Sequence, residues 1–203
     1  MDYFRNGLDV MGGAQAMMIA AGGGGVVVTW NPVDKDTDVS LSGGNLIASA
    51  NSANAGSCRA TMGKSSGKWY WEVVISDHLH ASACIGLASA SLVNQIYIDA
   101  AGWGYTGEGN FITVGQKINT GSATGYGVMP TNGSNLGVAL DMTAGTVQFY
   151  FNNSAQGVAY TGLTGVMYPA ASFNANGSGT TITAKFSAGS FTYAPPSGFA
   201  ALA

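Results

Sequence analysis

Short apolar and β-branched runs recur from Val26 to near the C-terminus, and most of them stop at Gly, Ser, Asn or Pro. That spacing predicts strands rather than helices. Val26-Val27-Val28-Thr29-Trp30 reads as a strand stopped by Asn31-Pro32. Asp38–Leu41 and Asn45–Ser49 flank Ser42-Gly43-Gly44 as the arms of a hairpin. Arg59–Met62 ends at Gly63, and the strongest run follows at Lys68–Ile75. There, alternation puts Trp69, Trp71, Val73 and Ile75 on one face, a large contribution to a core. Further strands are expected at Ala83–Ala88, Gly102–Tyr105 and Phe111–Val114. Leu136–Leu140 and Thr146–Phe151 are joined by a link that closes on Gly145, a second hairpin. Val158–Tyr160, Met167–Phe173, Thr180–Phe186 and Phe191–Tyr193 complete the set, and Pro195-Pro196 ends the last strand. No convincing helical periodicity follows residue 26, so the expected class is all-β, an antiparallel two-sheet β-sandwich.

The first 25 residues differ in kind. No charged residue stands between Val10 and Val33, and Ala14–Val28 is largely apolar. Gly22–Gly25 interrupt that stretch, leaving less than the roughly 20 apolar residues a membrane span needs. Arg5 is offset by Asp2 and Asp9, which argues against a signal peptide. Tyr3, Phe4, Leu8, Met11, Met17, Met18 and Ile19 instead suggest a short docking segment, with Gly22–Gly25 as its hinge. The expected division is residues 1–25 as docking segment, 26–199 as sandwich and 200–203 as a C-terminal tail.

Charged residues make up 8% of the 203, against about 25% in a typical soluble domain. Net charge is −3 and no basic run occurs, which argues against nucleic-acid binding through phosphates and against a basic membrane-surface helix. Partners must be met through aromatics, amides, hydroxyls and backbone groups. Cys58 and Cys84 are too few for a disulfide framework, and pairing between them stays open.

Candidate chemistry is sparse. Asp34-x-Asp36-x-Asp38 alternates carboxylates but lacks the sixth-position glycine and the late glutamate of a calcium loop. His78 and His80 are two ligands where a metal site needs three or four, so no metal is expected. Gly63-Lys64-Ser65 fails as a phosphate loop because Cys58 stands where the first glycine belongs. Glu72, Asp77, Asp99, Glu108 and Asp141 show no pairing pattern for glycoside hydrolysis, and no cofactor is implied. The remaining ligand-binding candidates are Trp103, Tyr105 and Glu108 in a glycine-rich stretch, with Tyr126 in an expected loop over Asn119–Asn132. For Trp103 and Tyr105, core packing is the competing reading.

Several runs occur in an order that matches a known family. Gly67-Lys68-Trp69-Tyr70-Trp71-Glu72-Val73, Ile85-Gly86-Leu87-Ala88, Gly102-Trp103-Gly104-Tyr105, Leu136–Asp141 with Ala144–Tyr150, and Met167-Tyr168-Pro169-Ala170 together resemble the motif series of SPRY domains. Trp30-Asn31-Pro32, Arg59–Lys68 and Tyr193–Phe199 resemble the flanks of SPRY modules in bacterial and bacteriophage proteins. The resemblance implies a twisted sandwich whose loops at one end bind protein or other ligands, with no catalytic residue. The resulting expectation is a non-enzymatic bacteriophage virion protein, oligomeric on the particle. Residues 1–25 would dock it to other virion proteins, and the sandwich would serve as fibre, decoration or recognition module for a host surface protein or glycan. The alternative is a soluble SPRY adaptor for a protein or peptide; a glycan-active enzyme is the weakest reading.

Overall fold

The computed structural model describes residues 26–50, 56–77, 83–92, 96, 99–107, 114–173 and 180–203. The expected docking segment therefore lies outside the described residues, as do His78, His80 and Glu108. In chain order the strands begin with β1 (Trp30–Lys35), β2 (Val39–Ser42), β3 (Ile47–Ala50), β4 (Gly56–Ala60) and β5 (Lys68–Asp77). β6 (Ala83–Ser89), β7 (Gly102–Thr106), β8 (Val114–Asn119), β9 (Ser122–Val128) and β10 (Asn135–Asp141) follow. The last are β11 (Thr146–Phe151), β12 (Ser154–Tyr160), β13 (Met167–Phe173), β14 (Thr181–Lys185) and β15 (Ala200–Ala201).

They form two sheets, as the alternation predicts. One runs β1-β4-β13-β6-β7-β8-β9; the other runs β12-β11-β10-β5-β14-β3-β2, with β15 beside β5. All pairings are antiparallel except β15 with β5. The core between the sheets holds Trp30, Trp71, Val73, Ile85, Leu87, Phe149 and Phe173. A second cluster, with Cys84, Ala88, Ile96 and Ala170, covers the opposite face of the first sheet. Neighbours on one strand, such as Cys84 and Ile85, fall in different clusters because successive side chains point to opposite faces. Cys58 belongs to the inter-sheet core and Cys84 to the outer cluster, so the two thiols lie on opposite faces of one sheet and form no disulfide with each other.

β5 departs from simple alternation. Trp71, Val73 and Ile75 enter the core as expected, while Trp69 is only partly buried at its margin. Tyr70 and Glu72, on the other face, are fully buried as well. The stretch after β14 covers them. Phe191 packs edge-on to Tyr70 at 5.2 Å, and the backbone N–H groups of Thr192 and Tyr193 donate to the Glu72 carboxylate at 2.7 and 2.9 Å. Phe191–Tyr193, expected as a strand, is therefore a strap held by a buried carboxylate.

Three other expectations change. The first strand starts at Trp30, where it was expected to stop, and runs through Asn31-Pro32. Five residues of β1 advance against two of β4, from Trp30 opposite Ala60 to Lys35 opposite Cys58, so the intervening residues bulge. A bulge tolerates the proline that an ordinary ladder position does not. The expected loop over Asn119–Asn132 contains β9, paired with β8 through a tight turn at Thr120 (φ 55°) and Gly121 (φ 73°). Two left-handed residues suit a two-residue hairpin. Finally, residues 200–203 are not a loose tail, because β15 pairs with Trp69 and Tyr70 and Leu202 is buried in the core.

Candidate interaction surface

The predicted aromatics gather in the interior. Trp103 and Tyr105 point between the sheets, and Tyr105 is fully buried. Tyr105, Tyr126 and Phe149 pack with ring centroids 5.2, 5.3 and 6.1 Å apart. The Tyr105 hydroxyl donates to the Val128 carbonyl. The Tyr126 hydroxyl donates to the Gly157 carbonyl and accepts from the Phe149 N–H, which ties β9 to β12 across the rim. Burial pushes the Tyr126 phenol up to about 12. These contacts close the open side of the sandwich. Tyr105 offers no surface to a ligand, and Tyr126 spends its polar end on the fold.

The carboxylates are likewise in use. Asp34 takes a two-pronged pair from Arg59, with Nε and Nη2 each at 2.8 Å, while Arg59 Nη1 donates to the Ser89 carbonyl at 2.6 Å. Asp36 accepts from the Ser57 N–H at 2.6 Å, so this pair of aspartates braces the β1 bulge. A cleft of about 190 Å³ lies beside this brace, lined by Val33, Asp34, Lys35, Arg59 and Leu92 among others. Among the described residues no group of three His, Cys, Asp or Glu is placed to hold a metal. Glu72 accepts from Asn135 Nδ2 at 2.8 Å and from the strap, with Lys185 Nζ at 3.7 Å. Burial alone would raise this carboxyl; the donors outweigh it and hold it below the usual range.

What remains chemically distinct is a half-buried ridge where the β4–β5 loop turns. Arg59 lies 5.8 Å from the ring centre of Tyr168. Tyr168 and Val166 crowd Gly63, where a Cβ would come within 2.9 and 2.6 Å of them. The next residue, Lys64, is bridged to Met167 and sets its ammonium 3.7 Å above the Trp69 ring. The indole N–H of Trp69 donates to the Ser66 carbonyl at 2.6 Å, fixing the ring under the lysine. Val166 is 41% exposed, so an apolar group sits within this polar–aromatic row. Among the described residues Lys64 has no carboxylate within ion-pair distance, and burial lowers its pKa. Trp, Tyr and Arg in a row are the residue types that dominate binding energy at protein interfaces.

Sequence reasoning missed this ridge. It weighed Gly63-Lys64-Ser65 only as a phosphate loop and assigned Trp69 to the core by alternation. The available signal was Trp69 at the mouth of its strand, directly after a glycine- and serine-rich loop that carries a lysine.

Comparison with known proteins agrees with the topology. The family model for the SPRY domain matches residues 68–186. A probable ATP-dependent RNA helicase, ddx1 of Dictyostelium discoideum, is 30% identical over 141 residues; the match covers 68% of this chain and only 17% of that protein. Among solved structures, the SPRY domain of human HERC1 aligns with a TM-score of 0.66 at 18% identity, over 77% of this chain and 96% of that one. The TRIM65 PSpry domain aligns at 0.60 and 20% identity, over 77% and 90%. Stonustoxin aligns at 0.59 and 22% identity, over 77% of this chain and 26% of that one. With more than half the chain matched by the family model and the sandwich in place, this chain belongs to the SPRY domain family.

Proposed function

We propose that the protein is a non-enzymatic SPRY adaptor that binds a protein partner through the ridge Arg59–Tyr168–Val166–Lys64–Trp69. SPRY domains are in general protein-interaction modules. The observation that carries the reading is the Lys64 ammonium stacked on Trp69, with no carboxylate at ion-pair distance among the described residues. A partner carboxylate or carbonyl reaching Lys64 gains a charge-assisted hydrogen bond in a partly dry setting, while Trp69 and Val166 supply apolar contact. The soluble adaptor accords with the relatives; the virion reading keeps only the resemblance of the flanks and the composition of residues 1–25.

The test is a random-peptide display selection on the immobilised full chain, followed by affinities for the selected peptides. Lys64→Ala and Trp69→Ala should each weaken binding about tenfold or more, with the fold checked by near-ultraviolet dichroism. Selected peptides that bind both variants as tightly as the parent protein place the site elsewhere and refute the assignment.

A further inference from the structure

The four outer strands of the sandwich are protected unequally. On one side, β1 carries Pro32, Asp34, Lys35 and a bulge, and β2 is four residues long with Asp36 and Asp38 just before it. Charges, proline, bulges and shortness are the devices that stop a sheet edge from pairing with another chain. On the other side, β9 (Ser122-Ala123-Thr124-Gly125-Tyr126-Gly127-Val128) and β12 (Ser154–Tyr160) contain no charged residue and no proline. From Ile118 to Ala184, Asp141 is the one charged residue in the sequence, and it is paired with Lys68 at the far end of β10.

β12 is closed from within. Its Ala159 carbonyl accepts from Lys117 Nζ at 2.7 Å, and its Gly157 carbonyl accepts from Tyr126. The far half of β9 is also tied, since the Val128 N–H donates to Gln156 Oε1 at 2.9 Å. Ser122–Gly125 is left as an edge whose four residues are all exposed. Its side chains are small, so another backbone can approach closely. Val114 and Val128, opposed across β8 and β9, and Val158 on β12 are each about half exposed along the same rim.

We propose that this edge pairs with the same edge of a second copy, antiparallel across a twofold axis, joining two seven-stranded sheets into one. A twofold contact sets each residue near its own copy, so any charge on the strand would face its like. The chain has net charge −3, yet this strand carries none, which removes that penalty. On the opposite side, the proline, charges and bulge of β1 and the shortness of β2 disfavour such pairing.

Sedimentation equilibrium on the full chain tests this. The parent protein should move with concentration from the 20.5 kDa chain mass toward twice that value. Ala123→Lys and Thr124→Lys should each raise the dissociation constant about tenfold or more by opposing like charges, while Ser40→Lys on β2 should not. Mixing Ala123→Lys with Ala123→Glu should restore the dimer, which a merely unfolded variant could not do. A parent protein that stays monomeric throughout refutes the proposal, and so does a dimer indifferent to both β9 lysines. Neither result bears on the ridge, whose residues come from β4, the β4–β5 loop, the start of β5 and the start of β13, and none from β9.

Discussion

Removing the buried, multiply hydrogen-bonded carboxylate of Glu72 should cost this fold several kcal/mol, about 3–5. Its side chain is fully buried, and its carboxylate accepts from Asn135 Nδ2, Thr192 N–H, Tyr193 N–H and, at 3.3 Å, the Tyr70 hydroxyl, with Lys185 beside it. Glu72→Ala strands the Asn135 amide in the core and releases the strap over Tyr70. Thr192 is exposed and Tyr193 half-exposed, so water can replace part of what they lose. The main loss is the buried amide and the broken ion pair, about 3–5 kcal/mol in all. Glu72→Gln keeps the shape but turns an N–H₂ group toward donors, so it should recover little. For a chain of this length the loss lowers the melting temperature by roughly 10 °C. Urea unfolding followed by tryptophan fluorescence gives the free energy directly. The pH dependence follows from the depressed folded-state pKa. The contribution is complete above the unfolded-state value of about 4.3 and disappears as pH falls through the folded-state value. The gap between the parent protein and Glu72→Gln should therefore be full at pH 7 and narrow below about pH 4. A loss under about 1 kcal/mol at pH 7, with an unchanged denaturant slope, would refute the view that this carboxylate holds the strap.

Gly86→Ala should prevent folding or cost about 3 kcal/mol, because its Cβ would fall 1.9 Å from the Trp103 carbonyl oxygen and 2.9 Å from the Gly104 Cα, both backbone atoms. Gly121→Ala meets nothing within 4 Å and should cost only the strain of a left-handed residue, about 1–2 kcal/mol; comparing the two melting temperatures checks the ranking. Cys58 and Cys84 are both buried, and burial holds the Cys58 thiol far above its ordinary value, so neither should react with a thiol reagent in the native protein. Both should react in denaturant, and a fast-reacting native thiol would contradict the assigned packing. Tyr105→Phe deletes the hydroxyl that ties β7 to Val128 and should lower stability by about 1 kcal/mol in the same urea assay, with no effect on peptide binding at the ridge.

The fold class was legible in the sequence because a strand with one covered face writes its period of two into the chain. Trp71, Val73 and Ile75 entered the core as alternation required, and the Leu136–Leu140 hairpin formed in the register its turn allows. The motif order from Gly67 to Phe173 was also legible, since it depends on local residue types. Alternation says which residues share a face but not what lies against that face. Tyr70 and Glu72 are buried because a strap 120 residues away in sequence folds over them, and no local pattern carries that information. The strand β9 was missed for a related reason. Ser122–Gly125 has no covered face at all, so it shows no alternation to read. The same limit applies to the ridge: Arg59, Lys64, Trp69 and Tyr168 come from separate strands and a loop, and only the packing of β4, β5 and β13 brings them together. The sequence by itself determined that this chain makes a sandwich with few charges. The tertiary structure decided which aromatics became core, which carboxylate became a clasp, and which edge was left open.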